Sequence, residues 1–216
     1  MKDYHTPLVP NHFYHIFNRG NNKETLFSNE DNYFFFIQKI EKYLLPFMKI
    51  YAYCLLPNHF LLKVRSEKEI LENLTKISKF SKVDIEINRF LEERFQRFFI
   101  SYSLAYNKQQ NRTGSLFQKR FKRIHIDTER YLLKLLHYIH NNPIHHHFCK
   151  NFNDWKFSSY NAIVSHGETN IERDSVIGWF DDVNHFIDFH NQMIDYGEIK
   201  NFLVDNDIAG EPCQTS

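Results

Sequence analysis

The sequence predicts an α+β fold, with a ferredoxin-like antiparallel sheet, helices on one face of it, and a C-terminal helical extension. Two observations lead to this class. Strand-like segments are interleaved with segments of helical periodicity, and two of the strand-like segments are joined by a tight turn that suits an antiparallel pair. The 216 residues, which include 22 Phe, can bury a sizeable core. We expect one domain over residues 1–164 and an acidic extension over residues 165–216.

The first part of the pattern contains three strands and one helix. Residues 12–18 alternate like a strand and run into the turn signal RGNN. Residues 29–45 have helical periodicity. Residues 49–56 and 59–64 have strand-like composition, and the Pro-Asn dipeptide between them predicts the tight turn of a hairpin.

The second part of the pattern is mainly helical. Residues 67–110 have the composition of two helices, the second beginning near Asp84. A strand is expected over residues 116–126, after a Thr-Gly break. The next helix covers residues 131–143 (YLLKLLHYIHNNP), with Asp127 as its N-cap and a proline at its end.

The helix over residues 131–143 carries two distinct faces. Leucines and an isoleucine form an apolar stripe. The second, more polar face consists of Tyr131, Lys134, Tyr138 and Asn142, spaced i, i+3, i+7 and i+11. Tyr138 and Asn142 stand one turn apart and can point at a common target. For one of 12 tyrosines taken alone, a hydroxyl that merely reaches water is the commoner role.

The net charge of +1 conceals an asymmetry along the chain. Residues 165–216 contain 11 acidic residues against Arg173 and Lys200, a net charge of −9, so residues 1–164 carry +10. Residues 108–126 contain six Lys or Arg and no acidic residue. A basic body favours a polyanionic partner, and a solvated basic face is the alternative.

A resemblance to a known family follows from five blocks, which in order are YHIFNRGNN, YCLLPNHFLLKV, GSLFQKRFKRIHID, YLLKLLHYIHNNP and WKFSSYNAI. In these blocks the chain resembles the REP-associated tyrosine transposases, single-tyrosine enzymes of the HUH endonuclease superfamily. The five blocks are distributed over residues 14–163. Their order and spacing make the resemblance more specific than any single motif.

The resemblance implies a metal-dependent nuclease site. Tyr138 is similar to the family's nucleophile, His59 to the first histidine ligand and Asn142 to the third ligand of a divalent metal, Mg²⁺ or Mn²⁺. The implied reaction is nicking and strand transfer of single-stranded DNA through a 5′-phosphotyrosine intermediate. We expect Tyr138, Asn142 and His59 to converge on one cleft, lined by the basic stretch, with the helix supplied in cis or in trans.

One position departs from the family pattern. His59, Leu61 and Lys63 share one face of the predicted strand, and Leu61 stands where the family has its second histidine ligand. Since leucine cannot bind a metal, catalysis is expected to be weakened while DNA binding survives. His15 is a candidate substitute, with a packing role as the alternative. His140 and the run at residues 145–147 have metal-ligand composition, but their position beside the proline favours solvent-exposed imidazoles.

DNA binding is expected from basic residues and from the family's first motif. The candidates are Asn18, Arg19, Arg112, Lys119, Arg120, Lys122 and Arg123. Phe117 and Phe121 are available for base stacking or for the core. The expected partner is single-stranded or hairpin DNA, with a homodimer possible.

Three functional hypotheses remain open at this stage. The first is a transposase-like single-strand nuclease, and the second is a catalytically impaired protein that binds DNA hairpins. The third and weakest is an RNA-binding protein in which Tyr138 is structural. The three scattered cysteines and the lack of an apolar run or signal peptide favour a cytoplasmic, reducing compartment without membrane contact.

Overall fold

The computed structural model describes residues 4–67 and 83–197. Its strands are β1 (Phe13–Arg19), β2 (Lys49–Leu56), β3 (His59–Arg65) and β4 (Lys122–Ile126). They form a four-stranded antiparallel sheet in the order β2-β3-β1-β4, which confirms the predicted α+β class.

The helices of the described residues fall into a long set and a short set. The long ones are α1 (Glu30–Tyr43), α2 (Val83–Gln109) and α3 (Glu129–His145). The short ones are α4 (Tyr160–Val164), α5 (Arg173–Ile177) and α6 (Val183–His190). The second helix of residues 67–110 begins at Val83, close to the predicted start, and residues 68–82 lie outside the described part. No helix among residues 4–67 and 83–197 has the length and apolarity needed to cross a membrane.

The last strand is shorter than the sequence pattern predicts. β4 begins only at Lys122, because the residues before it leave the extended conformation. Arg120 has a φ of 59°, in the left-handed region. Leu116 and Phe117 are buried, and Phe117 makes only an isolated bridge to Gly20. Residues 114–121 therefore form a loop at the sheet edge.

The helix α3 differs from its predicted boundaries at both ends. Thr128, not Asp127, is the N-cap: its hydroxyl accepts a hydrogen bond from the backbone N–H of Tyr131 at 3.2 Å. At the other end Pro143 lies inside the last turn. The helix continues past it because the N–H of His146 still donates to the carbonyl of Asn142 at 3.0 Å.

Both faces of the sheet are covered. The first core layer lies between the sheet and the helices α1 and α2, as the predicted one-face arrangement requires. The second face, which that arrangement leaves open, is covered by α3 together with α4, α5 and α6. Since α3 is enclosed by the sheet on one side and by later helices on the other, Tyr131, Tyr138 and Asn142 of its more polar face are buried, and Lys134 is half-buried.

Candidate metal and nucleophile site

The register of β3 places the candidate ligand on the α3 side of the sheet. Phe60 and Leu62 belong to the core layer under α1 and α2, and Leu61 belongs to the opposite layer. Because side chains alternate along a strand, His59 shares the face of Leu61. His59 is paired with Arg19 on β1.

His59 and Asn142 meet within one chain. The Nε2 atom of His59 lies 3.0 Å from Oδ1 of Asn142, and its Nδ1 atom lies 2.8 Å from Oδ1 of Asn58. Burial lowers the pKa of His59 to about 4, so the imidazole is neutral at pH 7 and has one N–H. The single N–H is either on Nδ1, where it donates to Asn58 and leaves the Nε2 lone pair directed at Asn142, or on Nε2, where it donates to Asn142.

The side-chain amide of Asn142 is fully buried, and only its oxygen has a hydrogen-bond partner among the described residues. Its Nδ2 atom has no hydrogen-bond partner among the described residues. Without a cation, the amide can turn so that Nδ2 donates to Nε2 of His59. In the tautomer with the proton on Nδ1, the lone pairs of His59 Nε2 and Asn142 Oδ1 face each other, an arrangement that a cation bound to both atoms stabilises.

This donor pair fits a divalent metal. Two adjacent ligands of a six-coordinate ion, each about 2.1 Å from it, are about 3.0 Å apart. The Nε2 to Oδ1 distance of 3.0 Å matches that spacing. The contact of His59 with Asn58 also resembles the supporting hydrogen bond that usually fixes the tautomer of a metal-binding histidine.

Tyr138 lies one helical turn from Asn142 but is not in an open cleft. Its side chain is 2 % exposed. The ring makes edge contacts with His15 at 6.4 Å and with Tyr196 at 5.8 Å between centroids. The expectation of an open cleft is therefore wrong for this conformation, because α3 is covered by the chain that follows it, including Tyr196.

His15 does not complete the metal site. It is paired with Lys63, whereas His59 is paired with Arg19, four residues farther along β1. Four residues of strand span about 13 Å, too far for His15 and His59 to share an ion. Both ring nitrogens of His15 are buried and lack a hydrogen-bond partner among the described residues, and burial lowers its pKa to about 3. Packing is the role that its position supports.

Leu61 lies on β3, two residues from His59 and on the same face of the strand. It is fully buried and paired with Phe17 on β1 and with Cys54 on β2. Among the described residues, no three His, Cys, Asp or Glu side chains are placed to hold one metal ion. Among the described residues of the sheet, no side chain joins His59 in such a group.

The histidines beyond Tyr138 are not all exposed, contrary to the prediction. His140 is buried, with Nε2 2.8 Å from the Ser159 hydroxyl and Nδ1 2.8 Å from Nε2 of His190. His146 is half-buried, and its ring lies 5.6 Å from that of His59. The first and last histidines of the run 145–147 are exposed, as predicted.

Two of the predicted DNA-binding arginines are engaged inside the protein. Arg123 is buried, pairs with Glu92 and donates to the carbonyls of Thr6 and His5. The guanidinium of Arg112 pairs with Glu24 and with the amide of Asn107. These contacts indicate a structural role for the buried Arg123, whereas the half-buried Arg112 remains a candidate for DNA binding.

The other basic candidates are at the sheet edge and near the metal site. Lys119 and Arg120 are exposed in the loop before β4. Lys122 is half-buried on the α3 side, where its ammonium lies 5.7 Å from the ring of Phe17. Arg19 lies beside His59, and its charge helps to lower the pKa of that histidine. These four cations form a band that we call the edge band.

Asn18 and a cavity lie on the other side of the edge band. The Asn18 side chain accepts from the N–H of Arg19 at 2.9 Å and donates to the carbonyl of Gln118 at 3.3 Å, so it holds the loop before β4. The cavity measures about 760 Å³ and lies between this loop and α2, with Asn18 and Arg120 in its wall. Phe117 and Phe121, candidates for base stacking, are packed in the core.

The block WKFSSYNAI packs the end of the chain against the edge strand β2. The N–H of Leu55 donates to the Phe157 carbonyl at 3.0 Å, and the Trp155 indole donates to the Leu55 carbonyl at 3.0 Å. The Ser159 hydroxyl accepts from the N–H of Tyr53 at 2.9 Å. These contacts agree with the packing role expected for this block.

Two residues beside the site, Asn58 and Tyr196, were not among the predicted site residues, and a third, His146, was considered as a ligand by composition but was expected to be exposed. Asn58 was read only as a turn residue, although a side-chain amide next to a candidate ligand is a signal for a supporting contact. His146 follows Asn142 by four residues, a spacing that places both on one helix face once the helix is known to pass the proline. No sequence pattern links Tyr196 to Tyr138, because 58 residues separate them.

A solved structure has the same fold. No protein-family model matches the sequence, and no curated protein matches it. A structure of a REP-associated tyrosine transposase bound to a REP hairpin matches with a TM-score of 0.56 and 19 % identity. The match covers 77 % of this chain and 87 % of the other. This chain has the fold of a REP-associated tyrosine transposase. At 19 % identity, the similarity between the two proteins is one of fold.

Proposed function

We propose that this protein is a transposase of the single-tyrosine type, which nicks and transfers single-stranded DNA with the help of a divalent metal. The observation that carries the proposal is the contact of His59 with Asn142, one helical turn from Tyr138, on the fold of a REP-associated tyrosine transposase. The fold comparison supports a DNA-binding role. The five sequence blocks support the same assignment.

The reaction that these residues suit is a transesterification. The phenolic oxygen of Tyr138 attacks a DNA phosphorus, the bond from phosphorus to the 3′ oxygen breaks, and that oxygen leaves as a 3′-hydroxyl after taking up a proton. The 5′ phosphate remains on the tyrosine, so the reverse attack by a 3′-hydroxyl joins strands without another energy source. A phenol with a pKa near 10 is a good leaving group in that step.

The metal would be held by His59 and Asn142. When bound, it supplies positive charge that stabilises the developing charge on the phosphate oxygens. By accepting the Nδ1 proton, Asn58 would hold the His59 ring in the tautomer that has a free Nε2 lone pair. Asn142 presents its amide oxygen from the same helix that carries Tyr138, so the two functions are fixed relative to each other. The contact of His59 with Asn142 within one chain supports the cis arrangement.

DNA would approach along the edge band, defined above as Arg19, Lys119, Arg120 and Lys122. It runs from the exposed loop before β4 to the neighbourhood of His59. Its positive charges suit the phosphates of a hairpin and of the adjacent single strand. Because Tyr138 is 2 % exposed, Tyr196 must move before a phosphodiester can reach the phenol.

A second candidate function is a hairpin-binding protein with impaired catalysis. Two observations favour it: Leu61 supplies no ligand, and Tyr138 is buried. This alternative uses the same fold and the same edge band, and it differs only in chemistry at the tyrosine.

The test is a covalent-adduct assay. The protein is incubated with hairpin-tipped single-stranded DNA and Mn²⁺ or Mg²⁺, and the adduct is detected as a shifted band on a denaturing gel. We expect an adduct with the parent protein and none with Tyr138→Phe, which removes only the nucleophilic oxygen. Fluorescence anisotropy should show equal hairpin affinity for both proteins.

Two results would change the conclusion. An adduct that persists in Tyr138→Phe would assign the nucleophile to another residue. Tight hairpin binding without any adduct in either metal would favour the impaired hairpin-binding protein.

A further inference from the structure

His146 is held over the candidate metal site by the last turn of α3. Its N–H donates to the carbonyl of Asn142 at 3.0 Å, so the two residues are one turn apart on one side of the helix. The ring centroids of His146 and His59 are 5.6 Å apart, with an interplanar angle of 78°. His59, Asn142 and His146 thus form a cluster of three potential metal ligands.

The spacing of the two rings is that of imidazoles that share a metal ion. A ring nitrogen about 2.1 Å from an ion places the ring centroid about 3.2 Å from it. Two such rings have centroids about 4.5 Å apart when they subtend about 90° at the ion and about 5.5 Å apart when they subtend about 120°. The observed 5.6 Å is close to the larger of these separations, and the amide oxygen of Asn142 is 3.0 Å from Nε2 of His59.

The cluster contains the third potential ligand that Leu61 does not provide. An imidazole and one amide oxygen make a thin site, and Leu61 contributes nothing to it. His146 approaches His59 from the helix, whereas a side chain at position 61 approaches from the strand, two residues along the same face. A side chain at either position, 146 or 61, is therefore near His59.

We propose that His146 is the third protein ligand of the metal, in place of the strand histidine that Leu61 has replaced. The inference rests on the proposed metal-dependent function. With two imidazoles and one amide, the donor set is richer in nitrogen than Mg²⁺ prefers. The site therefore binds Mn²⁺ more tightly than Mg²⁺.

The neighbouring histidines provide the matched control. His145 contacts the His146 ring at 5.1 Å, so its removal would disturb the proposed ligand. His147 is exposed and has a φ of 60°, a conformation that asparagine tolerates. His147→Asn therefore removes an imidazole from the same run without altering the cluster or straining the backbone.

The experiment measures Mn²⁺ uptake without DNA and without turnover. Free Mn²⁺ gives a six-line electron paramagnetic resonance signal that is lost on binding, so a titration yields the affinity. We expect His146→Ala and His146→Gln to weaken binding at least about 10-fold, the scale on which supporting residues already act. His147→Asn should match the parent, and circular dichroism should show an unchanged fold in all variants.

The outcomes separate this inference from the function on which it rests. If the parent and His147→Asn bind Mn²⁺ but both His146 variants and His59→Ala do not, His146 is a ligand. If the His146 variants bind like the parent while His59→Ala does not, the inference is overturned and the metal site stands. If the parent takes up no Mn²⁺, the metal-dependent function itself fails. Leu61→His in the His146→Ala background should restore binding, since it returns an imidazole to the face of His59.

Discussion

His15→Leu should make the protein more stable and less sensitive to acid. The imidazole of His15 is fully buried, and neither nitrogen has a hydrogen-bond partner among the described residues. A buried polar group without a partner costs about 1–3 kcal/mol. Leucine has a similar volume and no polar atom, so the substitution should raise the free energy of unfolding by about that amount at pH 7.

The acid sensitivity follows from the sign of the pKa shift. Burial lowers the pKa of His15 to about 3 in the folded protein, against about 6.5 in the unfolded chain. The unfolded state therefore binds the proton first as the pH falls below 6.5, and stability present above that pH is lost towards pH 3. Between pH 7 and pH 5 this one group removes about 2 kcal/mol. Domains of this kind have only about 5–15 kcal/mol in total.

Urea unfolding at pH 7 and pH 5, followed by tryptophan fluorescence, measures both effects. The loss of stability between the two pH values should be about 2 kcal/mol smaller in His15→Leu than in the parent. His166→Gln, at an exposed position, serves as the control and should reproduce the parental pH dependence. An unchanged loss in His15→Leu, or a protein destabilised at pH 7, would show that the imidazole has a favourable partner and would refute the reasoning.

The remaining predictions separate DNA contacts from structural arginines. Arg120→Ala and Lys119→Ala should each weaken hairpin binding and reduce the slope of log affinity against log salt by about 1, measured by anisotropy at several salt concentrations. A slope unchanged in both would remove the loop from the interface. Arg123→Met should leave the salt slope unchanged and instead cost about 1–3 kcal/mol in urea unfolding, since it loses its hydrogen bonds to Thr6, His5 and Glu92. A reduced slope in this variant would return Arg123 to the interface.

Local patterns predicted the elements of this protein better than their ends. Alternation and the Pro-Asn turn are sufficient to predict β2 and β3, because both depend on neighbouring residues. The first residue of β4 depends on the burial of Leu116 and Phe117 in the core. The last residue of α3 depends on the hydrogen bond that the N–H of His146 donates beyond Pro143. These are effects of tertiary packing, to which local periodicity is insensitive.

The candidate site was predictable only in part for the same reason. Motif resemblance indicated His59, Asn142 and Tyr138, and the structure places the first two in contact. A count of charges could not show that Arg123 is buried, since burial depends on which strand and helix enclose it. The position of His146 beside His59 requires knowledge of the last turn of α3.

A buried chain of hydrogen bonds from Ser159 through His140 to His190 connects three parts of the fold. Ser159 bonds to β2, His140 belongs to α3, and His190 ends α6. Separation of α6 from α3 breaks the buried contact between His140 and His190 and exposes the apolar surface packed around it. These elements should therefore open together and not by gradual fraying. In hydrogen exchange, the amides of α6 and the amide of Tyr53 would then belong to one cooperative unit with a common opening free energy.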